Sequence, residues 1–498
     1  MSLQIAKLQA NQVSKPKFGS ITLFYNGDEE ALYYKDSMGD IFPFFSGGGV
    51  QGITSANLND LDISDITNPI LTININQVRT VFVDSQFGND STGEYQNFRK
   101  PYQTIDGAYN ELKTQLQFSG ESGTVYIRSG HHYSFTQTLG EGMESTFQFE
   151  AGCIAEEFGI TDNGSLTPCI GKIVGYPQLI GAYFGRPVIN LSSTSGSRFY
   201  MQCDILSKVG NFGTLFNIES DNIPCSLLVD CNEIYHVDTS GSFVTSMVIW
   251  GYGEIILNVK RKFTSNILGY LVRPRPYSPQ GVVNYELNCP LVELGANTLL
   301  TVIQNGLAGS SIVFNTGLVK ASYTPAPIWV TSYAGYFEFN GKIISTGGSS
   351  TLFNISGVAG SIFNIKGIFH AETIGTPISI GGTCVVNFEG SVEGTQCTDI
   401  INVTSATAIV SIFNSFIKNS GIGNPAIKLN VGCSVDIYNS IIEVEVTAPY
   451  SIYATSGVST PRLHNVRSNK IVDAVTITDL LSPSGFIADA NTITPKFY

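Results

Sequence analysis

Two glutamates, Glu286 and Glu338, stand two residues ahead of Asn288 and Asn340 in the segments YELN (285–288) and FEFN (337–340). Paired carboxylates suggest glycoside hydrolysis, which needs them about 5 to 5.5 Å apart for retention or roughly 6.5 to 9.5 Å for inversion. If both segments occupy equivalent places in a stacked repeat, with Val313 at the equivalent place between them, two interstrand steps, ~10 Å in all, separate the carboxylates. They are the best carboxylate pair the sequence offers as catalytic residues. The simpler account is two solvated glutamates on an outer face, because charged side chains must point outward somewhere.

A second group lies in VDSQFGNDSTGE (83–94), where Asp84, Asp90, Asn89 and Glu94 superficially suggest a calcium ion. The ligand order of a calcium loop fails, since Gln86 and Gly88 take the second and third ligand places, so a turn is the better reading. In RPRPYSP (273–279), Arg273 and Arg275 beside Tyr277 could hold an acidic glycan, and a proline-stiffened loop accounts for the same residues. His131 and His132 are adjacent on an expected strand, so they point to opposite faces and cannot chelate together. Gly47, Gly49 and Gly52 match a dinucleotide glycine pattern but lack the strand before and helix after. Nine cysteines are scattered with no CxxC pair, and the tightest two, Cys225 and Cys231, have only His236 nearby; reduced core thiols are expected. No cofactor is expected.

The elements that carry these groups follow from composition. The chain has 498 residues, 43% hydrophobic and only 13% charged, with 51 glycines, which suits many short strands joined by tight turns. A formal charge of -13 argues against a nucleic-acid partner, whose phosphates call for Lys and Arg. No apolar run reaches the roughly 18 to 20 residues of a membrane helix, so no membrane insertion is expected. The first residues, MSLQIAKLQANQVSKPKF, lack a secretory apolar core, so synthesis in a cytoplasm is expected.

From about residue 200 a repeat emerges when polar residues ending short apolar strands are aligned: Gln202, Asp230, Asn258, Asn288, Asn315, Asn340, Lys366, Glu389, Asn414, Asn439 and His464, in steps of 23 to 30 residues. A unit of about 25 residues with two or three short strands and no helical pattern is one coil of a parallel β-solenoid. Ten steps of ~4.8 Å give a rod roughly 50 Å long. Asparagine at these places is expected to serve a tight corner that needs the left-handed conformation, with its amides stacked along the axis. Phe337, Phe339, Tyr285 and Leu287 alternate with polar residues and are expected inside, whereas the alternation slips at VSIFN (410–414). Glu393, Lys418 and Glu443, four residues past their repeat positions, form an expected charge ladder.

The order V-x-V-D, then G-N-D, then a proline with an aromatic and T-I, an amphipathic segment (Thr104 to Leu116) and the strand GTVYIRSG (123–130) resembles the start of right-handed parallel β-helices of the pectin-lyase-like superfamily. The resemblance implies a short helix covering the open end of the solenoid, and Ile105, Ala108, Tyr109 and Leu112 supply its apolar stripe. The Gly-His-Gly motif and acidic motif pair of polygalacturonase-like members are missing. The N-terminal stretch KFGSITLFYNGDEEALYYKDSMGDIFPF, with hairpins around Asn26-Gly27 and Ser37 to Asp40, followed by SGGGVQG and NLNDLDISDI, resembles the virion-proximal part of tailed-bacteriophage fibre and tailspike proteins.

The expected organisation is a virion-attachment β module (1–46), a Gly-rich joint and stalk (47–78), a β-helix start with capping helix (79–135), a parallel β-helix (136–470) with irregular insertions around 140–195, and a C-terminal segment (471–498). What the resemblance implies is a virion-surface fibre or spike, a homotrimer docked on another virion protein. Its β-helix would project to attach to a host, with a host surface glycan as its ligand. The alternatives are a tailspike depolymerase that cleaves host polysaccharide and a purely architectural virion component.

Overall fold

In the computed structural model, the described residues are 79–116, 121–162, 167–181, 187–192, 196–210, 213–239, 243–275, 282–296, 298–304, 309–321, 328–333, 335–346, 351–372, 375–430, 432–445, 447–448, 450–454, 460–468 and 471–473, together with six short strands before residue 72. The described residues are nearly all β, 67% strand against 3% helix, and form a parallel β-solenoid with about 26 residues per turn. The chain divides into two compact units, residues 1–79 and 80–498.

In the first unit, Thr22–Asn26 and Ala31–Lys35 form an antiparallel hairpin that continues to Ile41–Pro43, with Asn26 opposite Ala31 and Lys35 opposite Ile41. Lys7–Leu8 joins this sheet parallel to Thr22–Asn26, and Leu3–Gln4 pairs separately with Ile70–Leu71. Both expected hairpins are present. Gly47, Gly49 and Gly52 lie outside the described residues.

The second unit is the solenoid. One row of register partners starts at Thr80 and passes through Thr124, Thr146, Lys172, Tyr200, Leu228, Ile256, Glu286, Val313, Glu338, Asn364, Asn387, Ser411, Asp436 and Arg462. The ladder thus runs through residues 144–198 as well. Period-2 alternation puts Tyr285, Leu287, Phe337 and Phe339 inside, all fully buried, with Glu286 and Glu338 outside between them. Stacking then brings like residues together along the axis: ring centroids lie 5.6 Å apart for Tyr285 and Phe314, and 5.9 Å apart for both Phe314–Phe337 and Phe337–Phe363. None of the nine cysteines forms a disulfide, and all are buried.

The single helix among the described residues, α1 (Ile105–Gln115), starts where the Thr104 hydroxyl accepts from the Gly107 N–H, 3.0 Å away. Its buried stripe is Ile105, Ala108, Tyr109 and Leu112, the residues expected from the sequence. The Tyr109 hydroxyl is 2.9 Å from Ser145 Oγ and accepts from the Gly140 N–H, and its ring lies 5.0 Å from that of Phe147. Leu112 packs on Gly123, and Asp106 accepts from the Gln137 amide. Because these partners come from different strands of the first coils, α1 lies across the solenoid interior as a cap.

Burial of Asp106 pushes its carboxyl up to about 6, against the opposing Gln137 hydrogen bond and Lys113 charge. A folded-state pKa above the unfolded value of about 3.9 means that its contribution is present below that value and lost as pH rises through about 6. Asp106→Asn is therefore expected to stabilise the fold at pH 7.5 by about 1 kcal/mol, allowing for solvent screening at a half-buried site, and to change nothing at pH 4. Paired thermal melts at the two pH values check this, and equal effects at both would contradict the assignment.

Candidate functional site

The polar repeat residues read from the sequence do form one outer row. Gln202, Asp230, Asn258, Asn288, Asn315, Asn340, Lys366 and Glu389 are successive register partners. Beyond Glu389 the row continues through Phe413, Tyr438 and His464, so the sequence alignment was one residue late at Asn414 and Asn439. The reason is one extra residue at the corner, where the register shifts between Glu389 and Ser391.

The row has three chemical regimes. Its first part is an amide ladder: Asn340 Nδ2 donates to Asn315 Oδ1, Asn315 to Asn288 and Asn288 to Asn258, each at 2.9 Å, and Asn258 donates to Asp230 Oδ1 at 2.7 Å. The middle is an ion pair, Lys366 to Glu389 at 3.2 Å. The last part is an aromatic stack, with Phe413 and Tyr438 centroids 5.1 Å apart and Tyr438 and His464 4.4 Å apart, all nearly parallel.

The asparagines therefore serve two purposes. Among the described residues, the left-handed ones are Asn414, Asn439 and Asn465, at φ 47°, 49° and 54°. They occupy the corner that Gly341, Gly367 and Gly390 occupy in earlier coils. Asn258, Asn288, Asn315 and Asn340 are ordinary strand residues, so the expectation of a corner role is corrected for them while the expected axial stacking is present.

Against this ladder lies an open groove of about 700 Å³, lined by Asn258, Asn288, Asn315 and Asn340 and by Lys260, Thr316 and the turn residues beside them. Thr316 is 5% exposed and its hydroxyl has no hydrogen-bond partner. Lys260 Nζ lies 5.0 Å over the ring of Tyr176, which is 41% exposed, and 3.3 Å from its hydroxyl. Sequence reasoning had the asparagines but neither the groove nor Thr316, Lys260 and Tyr176. Only the column of amides at one coil spacing hinted at it.

Glu286 and Glu338 do sit two coils apart with Val313 between them. Each is tied to the ladder: Glu286 Oε1 accepts from Asn288 Nδ2 at 2.9 Å, and Glu338 Oε1 from Asn340 Nδ2 at 2.6 Å. The Tyr336 hydroxyl also donates to Glu338, and that bond, helped by Asn340 and opposed by burial, holds its carboxyl below the ordinary carboxylate value. An ionised, donor-bound carboxylate is the wrong partner for protonating a leaving group, which calls for a raised pKa.

Asp84 and Asp90 are occupied by protein donors. Asp84 Oδ1 accepts the Gln86 and Phe87 N–H groups at 3.0 Å each and Oδ2 pairs with Arg128 Nη1 at 3.0 Å. Burial raises the Asp84 pKa, but the backbone donors and Arg128 outweigh it and hold the carboxyl low. Asp90 Oδ1 accepts from the backbone of Gln103 and Thr104, and its Oδ2 from the Thr104 hydroxyl. The two aspartates are tied into the turn and its junction with α1. The first-coil histidines diverge as their spacing requires: His131 pairs with Glu156 at 3.0 Å, and buried His132 bonds the Arg128 carbonyl.

Arg273 lies 5.3 Å over the ring of Tyr270, on a strand aligned with Val248. Arg275 ends that strand opposite Trp250, and Tyr277 lies outside the described residues. The expected charge column is in register as Glu393, Lys418 and Glu443, with Lys418 3.0 Å from Glu393.

No family model, no curated protein and no solved structure matches this chain. The chemistry of its own outer row carries the functional reading.

Proposed function

We propose that the chain is a structural fibre or spike of a virion surface, made in the host cytoplasm and assembled as a homotrimer. It docks on another virion protein through its N-terminal unit and attaches to a host through the side of the solenoid. The observation that carries this reading is the groove on the solenoid flank, floored by side chains that repeat coil after coil, in a chain that also has a separate small β unit before Thr80. The resemblance of the N-terminal stretch to tailed-bacteriophage fibres and of the solenoid start to pectin-lyase-like β-helices supports it. A host surface glycan is the natural partner, because repeated polar side chains on an open flank suit a repeated polar ligand.

Retention of the purified chain on host cells tests attachment against the purely architectural alternative, which predicts no retention. Mass measurement in solution tests the trimer, and a monomer at micromolar concentration contradicts it. The depolymerase alternative is disfavoured by the donors that hold the Glu338 carboxyl low and by the bond that ties Glu286 Oε1 to Asn288. Incubation with host polysaccharide is expected to leave its size distribution unchanged for the unmodified chain and for Glu286→Gln and Glu338→Gln alike. Shortening by the unmodified chain that Glu338→Gln abolishes would replace attachment by cleavage.

A further inference from the structure

The solenoid interior stacks equivalent positions coil on coil, and at one place it stacks two thiols. Cys203, on the strand Arg198–Gly210, is the register partner of Cys231, on the strand Phe216–Asp238. Both residues are fully buried, and their thiols hydrogen-bond to each other. Register partners on parallel strands lie ~4.8 Å apart, inside the Cα separation of about 4.4 to 6.8 Å that a disulfide spans. Among the described residues no other two cysteines are register partners. Cys289 stands two coils beyond Cys231, past Val259, at ~10 Å, which is too far to bridge. Packing does not call for sulfur here, since buried Val259 fills the same position in the next coil.

We infer that Cys203 and Cys231 form a redox-closed staple, which a peroxide-class oxidant converts to an inter-coil disulfide that locks their two coils together. The Cys231 sulfur attacks one oxygen of hydrogen peroxide, giving a sulfenic acid and one water; the Cys203 sulfur then displaces the hydroxyl as a second water and closes the S–S bond. Two thiols lose two electrons, the peroxide is reduced, and both thiol protons leave in water. The hydrogen bond sets these roles: the bond to Cys231, with burial, pushes the Cys203 thiol up, so Cys203 keeps its proton and the Cys231 sulfur accepts it. Hydrogen peroxide is uncharged and close to water in size, so local opening admits it, and a protonated, buried pair reacts slowly. The bond joins residues 28 apart in sequence, and the freedom it removes from the unfolded chain stabilises the folded coils. The virion reading supplies an occasion, passage from a thiol-rich cytoplasm to oxidising surroundings, but the chemistry does not depend on it.

The test starts from the reduced full-length chain, freed of reductant and held with millimolar hydrogen peroxide in native buffer. Free thiols counted after unfolding are expected to fall from nine to seven over hours, and peptide mapping without reductant should find one linked pair, Cys203 with Cys231. The melting temperature is expected to rise by several degrees and to return when reductant is added. Cys203→Ser is expected to keep all of its remaining thiols and to gain no melting temperature from peroxide, whereas Cys289→Ser still loses two thiols. Similar melts of the reduced parent and both reduced variants show that the variants fold. Nine persisting thiols, a different linked pair, or sulfur that gains oxygen without a bridge would each overturn the inference, as would a bridge that leaves the melting temperature unchanged. Host-cell retention moves independently: retention of a chain that never bridges sinks the staple and leaves attachment standing, and bridging in a chain that host cells do not retain does the reverse.

Discussion

Gly367→Ala is expected to abolish the cooperative fold of the middle coils or to destabilise it by about 3 kcal/mol or more, from backbone strain plus a clash with main chain. Gly367 is at φ 145°, between Gly341 at 151° and Gly390 at 142° on neighbouring coils. A methyl there would land on the Gly341 carbonyl oxygen, and one at Gly390 would land on that of Gly367. The blocking atoms are backbone held by the parallel ladder, so relief requires separating coils. Asparagine does not help at this φ, which lies far from the left-handed region it tolerates. The converse exchange is mild: Asn414→Gly, at φ 47°, is expected to change the melting temperature by no more than a few degrees. Circular dichroism melts of the two variants check both, and a Gly367→Ala protein with parental stability would contradict the corner geometry.

Tyr109→Ala is expected to cost about 3 to 5 kcal/mol, the range for deleting a large buried aromatic. The ring is fully buried against Phe147, and its hydroxyl joins Ser145 and the Gly140 N–H, so one side chain ties α1 to two parts of the first coils. Loosening the cap also bares apolar interior and strand groups at the end of the solenoid, which invites end-to-end association. Tyr109→Phe keeps the ring and loses the hydroxyl bonds, at about 1 kcal/mol. Denaturant titration orders the three proteins, and light scattering should show the alanine variant alone forming larger species. Equal stability of the tyrosine and alanine forms would mean that α1 is not a structural cap.

Much of this fold was legible because a solenoid writes its period into the chain. The row from Gln202 to Glu389 could be aligned from sequence, since each coil ends its strand with a polar residue after the same inward pair. The cap was legible for a similar reason, as Ile105, Ala108, Tyr109 and Leu112 form a stripe that only a helix brings together. The alignment failed at Asn414 and Asn439 because asparagine does two different jobs here. In early coils it is the outward strand residue, and in later ones it replaces the corner glycine. Sequence shows the residue type but not its φ.

The groove escaped for another reason. Small turn residues such as Gly317 and Gly341 line it beside the ladder, and surface form is not written in a one-dimensional period. Whether an asparagine of the ladder also bonds within its own strand depends on the residue two back, Glu before Asn288 and Asn340 but Ile or Val before Asn258 and Asn315. Glu286 and Glu338 were correctly placed two coils apart, and spacing alone could not show that each accepts a bond from the asparagine two residues on.

The claim that the flank of the solenoid is the attaching surface is tested most directly by comparing host-cell retention of the unmodified chain with that of Asn315→Trp, which fills the groove from its centre. The expected result is strong retention of the unmodified chain and at least tenfold less of the blocked one, with both folded and both incorporated into particles through the N-terminal unit. Equal retention of the two would contradict the account.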